Sequence, residues 1–224
     1  MSVSNGRQFL SIPGPTTVPD AVLSAMHRPA VDIRKGELVD ITNRLKEDLK
    51  MITRSSGTPF IYIANGHGAW EAALTNVLSR GDKVLVLESG SFAVGWGDAG
   101  NMLGLNIEVL PGTYHKAVDP ALLEARLRAD TKGEIKAVLV VQVDTASSVM
   151  NDISALRRAI DNVGHGALFM VDTIASTKRS NVTKRQICAP PTGTGPPARQ
   201  ANITGAMPGR RLCTTCSGCR NHSI

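Results

Sequence analysis

The chain has 224 residues and a formal net charge of +6, but this charge is unevenly distributed. The first 176 residues hold 17 basic and 19 acidic residues, whereas residues 177–224 hold eight basic residues, no acidic residue and all four cysteines. The first part has no cysteine and is therefore not a disulfide scaffold. The start of the sequence lacks a basic segment followed by an apolar core, and no apolar run reaches membrane-spanning length. We therefore expect a soluble, cytoplasmic protein with no membrane partner.

Composition divides the sequence into three predicted parts. Residues 1–20 form an N-terminal arm, because Pro13 and Pro15 exclude a helix or a central strand. Residues 21–176 form a globular domain. Residues 177–224 form a basic tail rich in Cys, Pro and Gly, which we expect to be disordered because it lacks aromatic residues and hydrophobic periodicity.

Two helices are predicted near the start of the globular domain. The first covers Ala21–His27 and is capped by Asp20. The second covers Leu38–Thr53, where apolar residues recur at intervals of three and four.

Apolar runs and helical patterns then alternate as far as residue 171. The predicted strands are Pro59–Ala64, Lys83–Glu88, Asn106–Leu110, Ala137–Gln142 and Ala167–Val171. The predicted helices are Ala69–Leu78, Phe92–Leu103, Pro120–Ala129 and Ile153–Val163. Strands that are apolar almost without interruption suit a sheet covered on both faces. The alternation therefore predicts an α/β fold with a mostly parallel sheet and helices on both faces.

Three loops are expected to meet at the carboxyl edge of this sheet, where ligands bind in such folds. The segment Asn65–Gly68 leads into a helix, so its free N–H groups and the positive end of the helix dipole favour a phosphate. Asp172 ends the last strand, and the loop after Gln142 supplies Asp144, Thr145, Ser147 and Ser148. Together these groups suit a phosphorylated heterocyclic cation. For the glycine-rich turn alone, an ordinary strand–turn–helix without a ligand is the alternative.

Several separated segments, in the same order, resemble the class V aminotransferases, which are pyridoxal-phosphate enzymes of fold type I. The sequence is most similar to the serine–glyoxylate and alanine–glyoxylate aminotransferases, from about Phe9 to Ser176. The segments that carry the resemblance are Pro13-Gly14-Pro15-Thr16, Gly66-His67-Gly68-Ala69-Trp70-Glu71-Ala72-Ala73, Leu78-Ser79-Arg80-Gly81-Asp82-Lys83-Val84-Leu85, Gly90-Ser91-Phe92 and Val171-Asp172-Thr173-Ile174-Ala175-Ser176.

The resemblance implies an incomplete fold type I large domain with pyridoxal 5'-phosphate as its cofactor. It implies that Asn65, Gly66 and His67 bind the cofactor phosphate. It also implies that Phe92 stacks on the pyridine ring and that a hydroxyl group at Thr145 bonds the ring edge.

The remaining roles implied by the resemblance concern the ring nitrogen, the second ring face and the substrate. Asp172 would pair with the ring nitrogen and keep it protonated. Ile174 would pack under the ring, and the backbone of Gly14 would help to bind the substrate carboxylate.

The implied reaction is transamination between a small amino acid of the serine or alanine type and glyoxylate or a related 2-oxo acid. The family also implies a homodimer, and we expect no nucleic-acid partner. The sequence departs from the family pattern at three positions. Asn65 stands where a serine is usual, Ile33 where histidine is common, and Ser148 where a glycine usually precedes Val149.

The resemblance ends abruptly after Ser176. Lys178 and Lys184 are the only lysines after Asp172, and neither lies in the Ser-Gln-Lys context of the family's Schiff-base lysine. The sequence therefore predicts no catalytic residue and an inactive chain. Our hypothesis is that the tail is an out-of-frame translation of the missing catalytic region. In the family, the partner of the strand predicted at Pro59–Ala64 would also lie beyond Ser176.

Three alternatives remain beside this interpretation. The domain could be a non-catalytic protein that binds a phosphorylated ligand at Asn65–Gly68. The tail could be a basic interaction segment on an inert body, since contact with nucleic-acid phosphates requires only charge. A third possibility is a Zn²⁺ site in the tail, but its ligands are too closely spaced for an easy tetrahedron, so no metal is predicted. The candidate ligands are Cys213, Cys216, Cys219 and His222.

Overall fold

The structure is a computed structural model that describes residues 10–12, 14 and 16–176 and the backbone of Ala201–Ile203. The chain divides into two compact units, Met1–Glu47 and Asp48–Ile224. The predicted boundaries after residues 20 and 176 are not tested by this division and stay predictions. The predictions for the lysines, cysteines and basic residues of the tail lie outside the described residues.

The first unit contains helix α1 (Asp20–Met26) and most of helix α2 (Glu37–Thr53). Pro19, not Asp20, occupies the N-cap position of α1 and forms no side-chain cap hydrogen bond, so the prediction that Asp20 caps this helix is wrong. Asp20 instead lies in the first turn, where a carboxylate is favoured by the helix dipole. Near the start of α2, Arg28 donates to Glu37 at 2.7 Å.

The second unit is built on a five-stranded sheet with only parallel pairings. Its strands are β1 (Lys83–Leu87), β2 (Asn106–Leu110), β3 (Ile135–Val141), β6 (Leu168–Asp172) and β7 (Ala201–Ile203). They lie in the order β2-β1-β3-β6-β7. A separate antiparallel hairpin follows β3 and consists of β4 (Val143–Asp144) and β5 (Val149–Met150).

Helices cover both faces of the sheet, which confirms the predicted α/β architecture. They are α3 (Gly66–Val77), α4 (Ser91–Met102), α5 (Pro120–Ala129) and α6 (Ile153–Val163). Side chains of β1 alternate between two cores: Val84 and Val86 pack with Trp96 of α4, whereas Leu85 and Leu87 pack with the α5 and α6 side. This period of two is the geometry of a strand buried on both faces. Among the described helices, none has both the length and the apolar character that membrane crossing requires.

Local capping explains why the α5 and α6 predictions match the structure. Asp119 caps α5 by accepting from the Ala121 N–H at 2.8 Å, and Pro120 occupies the first turn. Asp152 caps α6 in the same way, and Gly164 ends that helix with a left-handed backbone. The other predicted helices and the four matching strands differ from the structure by three residues at most at each end.

The strand predicted at Pro59–Ala64 is wrong, because this segment is irregular in the structure. Within the described residues no strand lies beside it, and its apolar residues Phe60, Ile61 and Ile63 are exposed. A strand requires a hydrogen-bonded neighbour, so an apolar run without one has no ladder to join. The short strands β4, β5 and β7 were not predicted. Of the tail expected to be disordered, the structure describes only β7, which pairs with β6.

Candidate functional site

The N-terminus of α3 forms an open site for an anion at the carboxyl edge of the sheet. Asn65 is the N-cap, and its Oδ1 accepts from the Gly68 N–H at 3.2 Å. The N–H groups of Gly66 and His67 form no hydrogen bond within the described part of the chain. A Cβ at Gly68 would approach the Ala64 Cβ to 2.5 Å, so this close turn requires glycine. Unpaired N–H groups and the helix dipole together favour a phosphate.

Asp172, the last residue of β6, is a buried carboxylate with two fixed donors. Its Oδ2 accepts from Trp70 Nε1 at 2.8 Å, and its Oδ1 accepts from the Ile174 N–H at 2.9 Å. Only 5% of Asp172 is exposed, and no described Lys, Arg or His forms an ion pair with it. A buried charge without a counter-ion is costly, so this position suits a cationic group of a ligand.

Aromatic side chains surround the Trp70 ring. His67 meets it edge-on, with ring centroids 4.6 Å apart, and Trp96 stacks on it at 5.6 Å. Phe92, at the start of α4, lies 6.4 Å from Trp70 and is partly exposed. Ile174 is exposed as well, and a Cβ at Gly66 would lie 3.3 Å from its Cδ1. Exposed apolar groups thus lie beside both Asp172 and the anion site.

Asp144 joins the start of α4 to the β4–β5 turn. Its Oδ2 accepts from the N–H groups of Phe92 and Ala93, both at 3.0 Å, and its Oδ1 accepts from the Ala146 N–H at 3.0 Å. The N-cap residue of α4, Gly90, has no side chain that could accept hydrogen bonds from the first N–H groups of the helix. A Cβ at Gly90 would lie 2.2 Å from the Asp144 carboxyl carbon, so the carboxylate fills the space that glycine leaves. This contact ties the turn containing Thr145 to the helix containing Phe92.

A buried polar network supports the same loops. The Asn151 side chain donates to Ser89 Oγ at 3.0 Å and accepts from the Val118 N–H at 2.9 Å. Nearby, Ser176 Oγ donates to Gln142 Oε1 at 2.9 Å. These amide and hydroxyl groups are buried and paired, so they fix the loops without occupying the open edge.

The structure places most of the predicted site residues at one edge of the second unit. Its α3 terminus, Phe92, Asp172 and Ile174 lie together, and Thr145 is connected to them through Asp144. The exposed Gly14 belongs to the first unit, so its role remains a prediction.

Sequence reasoning missed the supporting contacts of Trp70, Asp144 and Asn151. The sequence indicated Trp70 only as a member of a segment that resembles the family, and Asp144 only as a polar residue of a loop. Their partners lie 102 and about 50 positions away along the chain, and no local pattern reports such pairings.

A model of the class-V aminotransferase family matches residues 9–187, which extends beyond the predicted end of the resemblance at Ser176. The serine–glyoxylate aminotransferase of Methylorubrum extorquens is 44% identical over 172 residues, which cover 76% of this chain and 43% of that protein. The serine–glyoxylate aminotransferase of Arabidopsis thaliana is 39% identical, with the same coverage. Their match to this chain thus spans less than half of each relative.

The crystal structure of a subgroup IV aspartate aminotransferase from Thermus thermophilus superposes with a TM-score of 0.68 and 25% identity. The superposition covers 76% of this chain and 47% of that one. The fold is therefore shared with an aminotransferase, as the sequence predicted. Since the family model also matches most of the sequence, the chain belongs to the class-V aminotransferase family.

Proposed function

We propose that this chain is the cofactor-binding part of a pyridoxal-phosphate-dependent aminotransferase. The observation that carries the proposal is the buried Asp172 carboxylate, which has no cationic partner among the described residues and lies at the same edge as the open N-terminus of α3. A ring that bears a protonated nitrogen and a phosphate complements both features.

The residues of the edge fit such a ligand. Asn65, Gly66 and His67 would hold the phosphate, because two N–H groups are open there and the helix dipole favours an anion. Phe92 and Ile174 offer exposed apolar surface to the two ring faces. The Thr145 hydroxyl would bond the ring edge.

When bound, the cofactor supplies an electron-withdrawing ring that accepts the electron pair released from the substrate. Asp172 would hold a proton at the ring nitrogen and so maintain that electron demand. The apolar rings of Phe92 and Trp70 would keep water away from this charge pair. The phosphate contacts at Gly66 and His67 would fix the ligand in one orientation.

The substrates belong to the same proposal. The names of the two serine–glyoxylate relatives support a small amino acid of the serine or alanine type as donor, with glyoxylate or a related 2-oxo acid as acceptor. The backbone of Gly14 would bind the substrate carboxylate. We further propose a cytoplasmic homodimer that uses no nucleic-acid partner, and sedimentation of the purified chain tests the dimer.

A non-catalytic ligand-binding protein is the second candidate. Lys35, Lys83 and Lys136 pair with other groups, not with Asp172 or the open end of α3. Binding of an anion at that end needs only the open N–H groups and the helix dipole. On this alternative the chain holds a phosphorylated ligand and performs no turnover.

The first experiment is a titration of the purified full chain with pyridoxal 5'-phosphate. Quenching of tryptophan fluorescence is the signal that reports binding. We expect saturable binding, competition by inorganic phosphate, and an affinity about tenfold lower in Asp172→Asn, a loss of about 1.4 kcal/mol. Asp98→Asn, an exposed substitution on α4, is the matched control. Equal affinity for both variants, or no binding by the unmodified chain, would contradict the proposal.

Borohydride reduction then separates the two candidates. An intact mass with one cofactor adduct, mapped by peptide analysis to Lys178 or Lys184, favours an enzyme with covalent attachment. Saturable binding without an adduct favours the non-catalytic protein. The unreduced sample is the control for non-covalent carry-over.

A further inference from the structure

We propose that Trp70 is a positioning residue for Asp172. Its indole N–H fixes the orientation of the carboxyl group and leaves acceptor positions of that group for a cation at the carboxyl edge. The proposal rests on the proposed function only where it identifies that cation as the nitrogen of a pyridine ring.

The geometry fixes the carboxyl group from two sides. Trp70 Nε1 donates to one oxygen at 2.8 Å, and the Ile174 N–H donates to the other at 2.9 Å. These donors come from α3 and from the chain just after β6, so they define the plane of the carboxyl group. A carboxylate has about four acceptor positions, and capacity for a further donor remains.

The position of Trp70 is itself constrained. Only 3% of the residue is exposed, so little water competes for its N–H. Its ring is stacked nearly parallel on Trp96, with an angle of 14°, and is met edge-on by His67. The indole therefore cannot turn away from Asp172 without disrupting the aromatic cluster.

The hydrogen bond has a consequence for a bound cation. The indole N–H occupies one acceptor position of the carboxyl group, so a donor from a ligand meets that group in one fixed orientation. Removing the indole N–H leaves a buried oxygen without its donor and allows the carboxyl group to turn, which weakens its hydrogen bond to a ring nitrogen.

The chain has two tryptophans, which makes the hydrogen bond directly observable. In the full chain without ligand, labelled with ¹⁵N-indole tryptophan, NMR spectra of the unmodified chain are compared with those of Asp172→Asn at neutral pH. We expect the Trp70 N–H signal to move upfield in Asp172→Asn, because a neutral amide is a weaker acceptor than a carboxylate. Trp96 is the internal control, because its Nε1 is buried and has no hydrogen-bond partner among the residues that the structure describes. A Trp70 signal that is unaffected by Asp172→Asn overturns the proposal.

A matched pair of variants tests the effect on ligand binding. Trp70→Phe and Trp96→Phe each remove one indole N–H from the same stack, but only the Trp70 indole donates to Asp172. We expect the dissociation constant for pyridoxal 5'-phosphate to rise about tenfold in Trp70→Phe and to stay unchanged in Trp96→Phe. Equal dissociation constants in the two variants overturn the proposal, and if Trp70→Phe does not fold, the tryptophan signals of the unmodified chain decide.

The final measurement uses pyridoxal 5'-phosphate labelled with ¹⁵N in the ring. We expect the ring-nitrogen signal of the bound ligand to move towards the unprotonated range in Trp70→Phe and to stay in place in Trp96→Phe. An unchanged signal in Trp70→Phe overturns the role of Trp70 towards the ring. If the unmodified chain binds no pyridoxal phosphate, the proposed function fails, whereas the tryptophan signals of the chain without ligand still decide whether Trp70 donates to Asp172.

Discussion

Ser148 has a left-handed backbone, with a φ of 60°, in the turn between β4 and β5. The resemblance described in the sequence analysis implies a glycine at this position. A side chain in this conformation costs about 1–2 kcal/mol, and glycine avoids most of that cost despite its greater freedom in the unfolded chain. We therefore expect Ser148→Gly to raise the free energy of unfolding by about 1 kcal/mol, measured by urea denaturation.

Ser147→Gly is the control for this prediction. The backbone of Ser147 is not left-handed. Its Oγ donates to the Ser89 carbonyl oxygen at 2.6 Å. The same substitution one position earlier should therefore lower stability. If both glycine variants change stability in the same direction, backbone strain at Ser148 is not the cause. The sequence alone identified Ser148 as a departure from the family but could not give its backbone angle.

At the level of elements, Asp144 caps a helix that has no cap of its own. It accepts three backbone hydrogen bonds and is completely buried. Removing it leaves three N–H groups of the α4 start and the β4–β5 turn without their acceptor. We expect Asp144→Ala to reduce the free energy of unfolding by about 3 kcal/mol, measured by urea denaturation.

Asp152→Ala provides the matched comparison. Asp152 directly precedes α6, the helix that it caps, and is exposed. It accepts one hydrogen bond, from the Ala155 N–H. Its loss should cost about 1 kcal/mol, the ordinary value for a helix cap. If Asp144→Ala costs no more than Asp152→Ala, the contact of Asp144 with α4 does not stabilise the domain as described.

The elements that the sequence predicted well carry their own determinants. Asp119 and Asp152 lie beside the helices that they cap, so α5 and α6 begin where the sequence predicted. The prediction for Pro59–Ala64 failed because a strand forms only beside another strand with which it can exchange hydrogen bonds. Local sequence does not report whether such a neighbour is present. The two-residue strands β4 and β5 are too short for an alternating pattern to indicate them.

At the level of the whole molecule, parallel topology made the location of the site predictable. The end of β6 places Asp172 at the carboxyl edge. No described strand precedes α3, and its N-terminus lies near Asp172 because Trp70 packs against the sheet and donates to that carboxyl group. The contacts within that edge could not be predicted in the same way. Trp70 and Asp172 are 102 positions apart, and their hydrogen bond depends on the packing of α3 against the sheet.

The opposite edge of the sheet contains a buried pair that makes stability depend on pH. Asp130 follows α5 and accepts from the N–H groups of Ile135 and Glu134, at 2.8 and 3.0 Å. His165 lies 3.1 Å from the same carboxylate through Nε2, while its Nδ1 accepts from the Ala167 N–H, so the proton of a neutral ring lies on Nε2. The Asp130–His165 pair thereby connects the chain before β3 to the chain before β6.

Burial raises the pKa of Asp130, but the two backbone donors and His165 outweigh it, so the pKa is lower than its ordinary value of 3.8. A carboxyl group whose pKa is depressed by folding stabilises the protein above its unfolded pKa, and that stability is lost as the pH falls through the folded value. Urea denaturation between about pH 5 and pH 2 should therefore show a steep loss of stability in the unmodified chain, which continues below pH 3.8.

Asp130→Asn should be less stable than the unmodified chain at neutral pH, because an amide group cannot accept from all three donors. It should also lose less stability on acidification, since the depressed carboxyl group is gone. Asp98→Asn, at an exposed position on α4, should retain the steep loss. The pair between Glu108 and Arg126, which lowers the pKa of Glu108 mainly through its hydrogen bond, is common to all three proteins. An equally steep loss in Asp130→Asn would show that acid sensitivity arises from Glu108 and the other carboxylates instead of from the contact between the two chain segments.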